Sequence, residues 1–352
     1  MKPLRIAIAG DRFMLADVFR QEIERLMPDG SSLRLLELAW PDEPMHHGYN
    51  GAAEAALTRG LREFYGDPDA ITAFVDDADI FVTHLAPVSA AMAERMPNLR
   101  LVAVSRGGPV NIDVSGLTAA GIRVVNTPAR NAGAVAEFTI GAILSETRLI
   151  RAGHEALRQG EWRGDLYRAD MIGPELSDLT IGVIGYGAIG TRVVRLLKAF
   201  GAKVLVADPY VQLSAQDRRD GVEHMSLEKL LEAADIVTLH ARVTPETTKF
   251  INAAAFSRMK RGTIFINTAR GPLVDYDALY EALASGHLRG AMLETFAVEP
   301  VPADWPLLRL PNVTLTPHIA GASLTTVRIA ARMIAEEVRR FAIGEGPVNP
   351  VN

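Results

Sequence analysis

The sequence predicts an α/β protein of two domains, each built on a parallel sheet with helices laid over it. Three observations carry this expectation. Short apolar runs alternate with helical patterns along the chain, as in strands joined by crossover helices. The 352 residues are roughly twice the ~150 of one average domain. The alternation also restarts: one series runs from "LRIAIAG" to "IRVVNTP", and a second opens at "LTIGVIGYGAIG".

In the first series "LRIAIAG" precedes the helical "MLADVFRQEIERLM", "DIFVTHL" precedes "VSAAMAERM", and "LRLVAVS" precedes "VSGLTAAG". The stretch from Pro41 to about Gly66 has no clear period and reads as loop with room for a helix. "AGAVAEFTIGAILSETRLIRAGHEALRQGEW" reads as one long helix, apolar nearly all round at Val135, Phe138, Ile140, Ile143 and Leu144. Such a helix is buried on several sides, which suits a core, a domain boundary or a subunit interface alike. The second series offers six strands, "IGVIG", "KVLVAD", "DIVTLH", "TIFINTA", "RGAML" and "VTLTPH", the size of a dinucleotide-binding unit. The closing helix "LTTVRIAARMIAEEVRRFAIG" is expected to return to the first domain.

Composition narrows the function. Apolar residues make up 48% and charged residues 22%, ordinary values for a globular protein. A net charge of −5 argues against nucleic acid as a partner and gives no reason for binding to an anionic membrane. With no cysteine there is no disulfide, no thiolate nucleophile and no Cys-based metal site, and no metal is called for. "MKPLRIAIAG" reads as a first strand rather than a secretory signal, and no run of 18 apolar residues exists, so a cytoplasmic protein is expected.

The second series opens on chemistry. Gly185, Tyr186, Gly187, Ala188, Ile189 and Gly190 spell G-x-G-x-x-G between an apolar strand and a helix whose apolar face is Ile189, Val193, Leu196 and Phe200. Gly185 permits the tight turn, Gly187 lets backbone approach a diphosphate, and Gly190 lets helix pack on strand. The helix N-terminus then presents unpaired N–H groups and a partial positive charge. Asp208 ends the next strand 18 residues past Gly190, where an acid accepts from ribose hydroxyls. It would repel a 2′-phosphate, so the cofactor is expected to be NAD rather than NADP.

Three more strand ends carry unusual residues: Arg270 in "NTARGPLVD", Glu299 in "ETFAVEP" and His318 in "VTLTPH". An arginine grips a carboxylate through two parallel hydrogen bonds. A histidine exchanges a proton near neutral pH, and a neighbouring carboxylate raises its pKa. With NAD, the trio suggests hydride transfer to a carbonyl beside a carboxylate: Arg270 orients and polarises, His318 delivers the proton, and Glu299 keeps His318 protonated.

These motifs, with "NTPARNAGAVAEFTIG" and "ALASGHLRGAMLETFAVEP", resemble those of the NAD-dependent D-isomer-specific 2-hydroxyacid dehydrogenases, the family of the phosphoglycerate, glyoxylate/hydroxypyruvate and D-lactate dehydrogenases. The resemblance runs from about Asn98 to His318 and more loosely beyond. It implies a Rossmann NAD-binding domain, residues 126–319, inserted in a flavodoxin-like substrate domain of residues 1–125 and 320–352. It implies a homodimer, and it gives Arg270, Glu299 and His318 the catalytic roles. Pro209, His240, Ala241, Thr268, Ala269, Arg270, Glu294 and His318 are implied beside the cofactor.

The substrate implied is a D-2-hydroxy acid or its 2-keto acid, phosphorylated or sugar-derived as in phosphoglycerate dehydrogenase, with glyoxylate or hydroxypyruvate as the alternative. Other roles on the same scaffold are a corepressor-like NAD-binding protein and phosphite oxidation. With 34 residues after His318, the regulatory domain of the longer phosphoglycerate dehydrogenases is not expected.

The sequence departs from the family pattern in three places. Glu294 in "AMLETF" stands where an aspartate usually touches the nicotinamide amide. Arg242 in "LHARVTPETT" replaces a proline and is expected to face solvent. In "LVAVSRGGPVNID" the loop that commonly holds the substrate carboxylate by backbone N–H groups has become Arg106-Gly107-Gly108-Pro109. Gly107 and Gly108 keep their N–H groups, whereas Pro109 has none. Arg106 is expected either to meet a second anionic or polyhydroxyl group of the substrate or to pair with a nearby acid. His84 and Leu85 in "THLAPVS" are further loop positions that would bear on substrate fit.

Overall fold

The computed structural model describes residues 3–27, 31–40 and 55–352. The chain divides into two units, Met1–Asn131 with Ala322–Asn352, and Ala132–Gly321.

The first unit runs β1 (Leu4–Gly10), α1 (Ala16–Leu26), β2 (Ser31–Glu37), α2 (Pro68–Val75), β3 (Ile80–Thr83), α3 (Ala90–Ala93), β4 (Leu101–Val104), α4 (Val114–Ala119) and β5 (Arg123–Val125). The five strands are parallel in the order β2-β1-β3-β4-β5. Chain order reverses between β1 and β3, whose register pairs Ile6 with Ile80 and Ile8 with Val82. Alternate residues serve opposite faces, as strand geometry requires. Ala7, Ala9, Phe81, Val102 and Val104 pack with Ile71, Val75 and Met92, while Ile6, Ile8, Ile80, Val82 and Leu101 pack with Phe19 and Ile23. Burial on both faces explains why β3 and β4 read as unbroken apolar runs. β2 was not apparent in the sequence. It is an edge strand that mixes Ser, Arg and Glu with Leu33, Leu35 and Leu36 and has half-buried or exposed positions only.

The second unit runs α5 (Ala132–Thr147), α6 (Ile150–Arg158), β6 (Thr180–Ile184), α7 (Gly190–Ala199), β7 (Lys203–Ala207), α8 (Ala215–Arg219), β8 (Glu223–His224), α9 (Leu227–Ala233), β9 (Ile236–Leu239), α10 (Ala253–Arg258), β10 (Ile264–Asn267), α11 (Tyr276–Ala284), β11 (Gly290–Leu293) and β12 (Val313–Leu315). Its parallel sheet has the order β12-β11-β10-β9-β6-β7-β8, which reverses between β6 and β9. The seventh strand beyond the six expected is the two-residue β8. α5 and α7 cover one face through Ala136, Ile140, Ile143, Val193, Val194 and Leu197. The other face packs Leu230, Phe256, Leu279 and Leu283.

Two sequence expectations need correction. The long helix is two helices, with Leu149 between them in the left-handed region at φ 55°. α5 buries nine residues but α6 buries only Ala156, so the apolar face that would hold one straight helix against the core stops at Thr147. The inner face of α7 is also turned from the one read: Val193, Val194 and Leu197 are buried, while Phe200 is 45% exposed at the helix end. Of the stretch from Pro41 to Gly66, residues 41–54 lie outside the described residues, and 55–66 contain turns without a helix.

The last helix, α12 (Leu324–Ala342), belongs to the first unit. Val327, Ala330, Ile334 and Val338 pack beside Phe19 and Ile23 of α1. Ser323 caps α12, its Oγ accepting from the Thr326 N–H at 3.0 Å. Ser323→Ala is expected to lower stability by about 1 kcal/mol, read as a shift in denaturant midpoint at unchanged slope. Among the described residues no helix is long and apolar enough to cross a membrane.

Candidate active site

β6 leads into the glycine loop at the point where strand order reverses, the place where open α/β sheets bind ligands. Gly185 sits at φ 95°, and a Cβ there would lie 2.7 Å from the His240 carbonyl carbon. A Cβ on Gly190 would lie 2.0 Å from the Gly185 oxygen. Both positions therefore require glycine, for backbone conformation and for packing. At Gly187 a Cβ would meet nothing within 4 Å, so the loop leaves open space on that side. Gly187 and Ala188 are exposed, and α7 begins without a side-chain cap. Uncapped N–H groups behind an open glycine loop fit a dinucleotide diphosphate. Tyr186 gives the loop only its backbone, because its ring is buried and its hydroxyl donates to Asp217 and accepts from the Ser214 N–H.

Asp208 lies just past β7. Its carboxylate accepts from the N–H groups of Tyr186 at 2.8 Å, Tyr210 at 2.9 Å and Val211 at 3.1 Å. A carboxylate has about four acceptor positions, so capacity remains for a ribose hydroxyl. Pro209 beside it is exposed. His240 follows β9 and is pushed down to about 3 by burial, so it is neutral. Its Nε2 meets the Thr238 hydroxyl at 3.0 Å, and its buried Nδ1 has no partner among the described residues. Ala241 is half-buried and Arg242 is exposed. Thr268 and Ala269 are buried after β10, and the Thr268 hydroxyl meets that of Thr139 at 2.9 Å.

Arg270, Glu299 and His318 come together at the carboxyl ends of β10, β11 and β12. Arg270 is exposed and donates one hydrogen bond, 2.7 Å, to the Ala269 carbonyl. Asn267 holds this corner: its Oδ1 accepts from the Ala269 N–H and its Nδ2 donates to the Arg270 carbonyl. Asn267 is not among the site residues expected from the sequence, though an amide at a strand end before Arg270 is a usable signal. Glu299 accepts from the Phe296 N–H at 2.6 Å through Oε1 and from His318 Nδ1 at 2.7 Å through Oε2. Burial pulls the His318 pKa down, but the hydrogen bond and charge of Glu299, aided by Glu294, outweigh it and raise it above the ordinary histidine value. The nearby Arg270 charge works against this rise.

Glu294 is 1% exposed and does more than extend the usual aspartate by one methylene. Its Oε1 accepts from the Ala320 N–H at 2.7 Å, and its own carbonyl accepts from the His318 N–H at 3.0 Å. The two bonds bracket His318, which is held in the left-handed region at φ 53°. Burial pushes Glu294 up to about 7, opposed by the charges of His318 and Arg270.

In the first unit, Arg106 follows β4 and is paired. Its Nη2 bonds the Glu63 carboxylate and its Nη1 donates to the Glu63 carbonyl at 2.9 Å. Gly107 and Gly108 are exposed. Their N–H groups donate to nothing among the described residues. His84 is 7% exposed and Leu85 1%.

Comparison with known proteins agrees with this chemistry. A family model described as D-isomer specific 2-hydroxyacid dehydrogenase, NAD binding domain, matches residues 140–320. The chain is 40% identical over 279 residues to a glyoxylate reductase of Korarchaeum cryptofilum, covering 79% of this chain and 84% of that one. It is 38% identical over 287 residues to a D-3-phosphoglycerate dehydrogenase of Mycobacterium tuberculosis, covering 81% of this chain but 53% of that one. The solved structure of a D-2-hydroxyisocaproate dehydrogenase superposes with a TM-score of 0.81 at 28% identity over 99% of both chains. With its glycine loop and its Arg–Glu–His cluster at neighbouring strand ends, the chain belongs to the D-isomer-specific 2-hydroxyacid dehydrogenases, which act on a CH–OH group with NAD.

Proposed function

We propose that the enzyme works as a reductase, converting small 2-keto acids to D-2-hydroxy acids. The observation that carries this reading is the 2.7 Å bond between His318 and Glu299, with the His318 pKa held above its ordinary value. A histidine whose protonated form is favoured by its surroundings is the acid that carbonyl reduction needs. NADH, when bound, supplies the hydride that reaches the carbonyl carbon. Arg270 uses its exposed N–H groups to bind the substrate carboxylate and polarise the adjacent carbonyl. His318, with Nδ1 committed to Glu299, gives the Nε2 proton to the carbonyl oxygen, so C=O becomes CH–OH and the imidazole is left neutral. Oxidation runs the same steps backward, with neutral His318 taking the hydroxyl proton.

The substrate we propose is a short keto acid of the glyoxylate or hydroxypyruvate kind. The Arg106–Glu63 pair supports the smaller acids over phosphorylated ones, because Arg106 would have to leave Glu63 to meet a phosphate. NADH consumption with glyoxylate, hydroxypyruvate, phosphohydroxypyruvate and sugar-derived 2-keto acids tests this. The expected order places hydroxypyruvate or glyoxylate first by kcat/KM, with NADH preferred over NADPH. Turnover of none of them would overturn the reading, and a preference for phosphohydroxypyruvate would restore Arg106 as a substrate contact.

A further inference from the structure

The first unit carries a polar cluster that the reaction above does not use. It lies at the carboxyl ends of β1 and β3, where that sheet's order reverses, and such switch points open a crevice for ligands. Asp11 follows β1 and His84 follows β3, and they are 1% and 7% exposed. The Asp11 carboxylate accepts from the N–H groups of Phe13 and Met14, both at 2.9 Å, and from His84 Nδ1 at 2.7 Å. His84 Nε2 accepts from Arg130 Nη2 at 3.2 Å. The Arg130 guanidinium also lies over the Phe13 ring, 5.6 Å from its centre.

This chain of contacts fixes each group. His84 must carry its proton on Nδ1 to serve Asp11 and keep Nε2 bare to receive Arg130, so it is neutral; burial lowers its pKa despite Asp11. A neutral His84 offers Arg130 no counter-charge. Among the described residues Arg130 forms no ion pair with a carboxylate and its buried Nη1 has no hydrogen-bond partner. Glu63 is bonded to Arg106, and Asp11 is already committed to His84 and two amides. Burial, with the Arg106 charge, pushes Arg130 down to about 10, so it remains a cation at neutral pH. Ala129, the residue before it, is held at φ 59°, a strained conformation for alanine. The buried Ser105 hydroxyl at the end of β4, the strand beside β3, also lacks a partner among the described residues.

A half-buried arginine locked by histidine and phenylalanine, with its Nη1 buried and no acid of its own, costs stability unless an anion completes it. We propose that Arg130, held by the Asp11–His84 pair, is a carboxylate-binding subsite for a small organic acid. The pinned guanidinium explains the choice of anion: Phe13 covers one face and His84 takes an Nη2 donor, and the planar edge left at Nη1 suits a planar carboxylate better than a phosphate that needs several donors around it. The ligand's class rests on the reading of the enzyme as a keto-acid reductase; the site itself does not.

Calorimetric titration of the cofactor-free full chain with malonate, and separately with inorganic phosphate, tests the subsite. Malonate is expected to bind, with Arg130→Met weakening it about tenfold or more, as loss of a charge-assisted hydrogen bond predicts. Arg130→Lys keeps the charge without the fork and is expected to weaken malonate severalfold while remaining folded by circular dichroism. Malonate binding equally well to wild type and Arg130→Lys, or not binding wild type, would overturn the proposal. Stronger binding of phosphate than malonate would overturn the carboxylate assignment. Malonate binding without turnover of any keto acid would remove the reductase reading and leave the subsite standing.

Discussion

His318→Gln is expected to lower kcat for keto-acid reduction by about 10²–10⁴, the usual contribution of a positioned general acid. NADH affinity should change little, because the glycine loop and Asp208 remain intact. Glu299→Gln removes the charge at nearly the same size. The glutamine has one oxygen where the carboxylate used two, for the Phe296 N–H and for His318 Nδ1, and it no longer stabilises the imidazolium. The His318 pKa should therefore fall, so the alkaline limb of the reduction profile moves to lower pH. A kcat–pH profile for each variant checks this, and an unmoved limb would mean that Glu299 acts only as a brace.

The second large effect concerns Glu294. Its folded pKa of about 7 lies above the ordinary glutamate value of 4.5, so folding favours its protonated form. Stability from this group is complete below about pH 4.5 and is lost as pH rises through 7. The gap of about 2.5 units corresponds to about 3 kcal/mol. The groups that face it are His318 and Arg270, which favour its ionised form, and Glu299, which opposes it. Glu294→Gln can still accept from the Ala320 N–H, yet it carries no charge to bury. The variant should match wild type in urea denaturation near pH 5 and exceed it by up to about 3 kcal/mol near pH 8. Equal stability at both pH values would show that Glu294 is not the group titrating there.

Much of this site was legible because its chemistry sits on rigid strand ends with strong local patterns. Gly185, Gly187 and Gly190 declare themselves by spacing, and Arg270 and His318 by standing where apolar strands stop. What the sequence hid depends on contacts between distant residues. Asp11, His84 and Arg130 are separated by 73 and 46 positions in their two hydrogen bonds, and no local period links them. The partner of Arg106 was open for the same reason, since Glu63 lies 43 residues earlier in a stretch without a pattern. Glu294 could be seen as unusual but not as a bracket around His318, because that role depends on a turn 26 residues later. The break at Leu149 was missed because no glycine or proline marks it.

The return of α12 to the first unit also has a consequence for synthesis. Residues 132–321 form an uninterrupted stretch, so the second unit can fold while the ribosome is still adding the tail. The first unit cannot finish so early. Until residues 324–342 emerge, Phe19 and Ile23 lack the helix that packs beside them, and they must wait for a segment some 300 residues later in the chain. The amino-terminal end, made first, is thus completed last, and the interval between is when a chaperone or an aggregating neighbour would find that face uncovered.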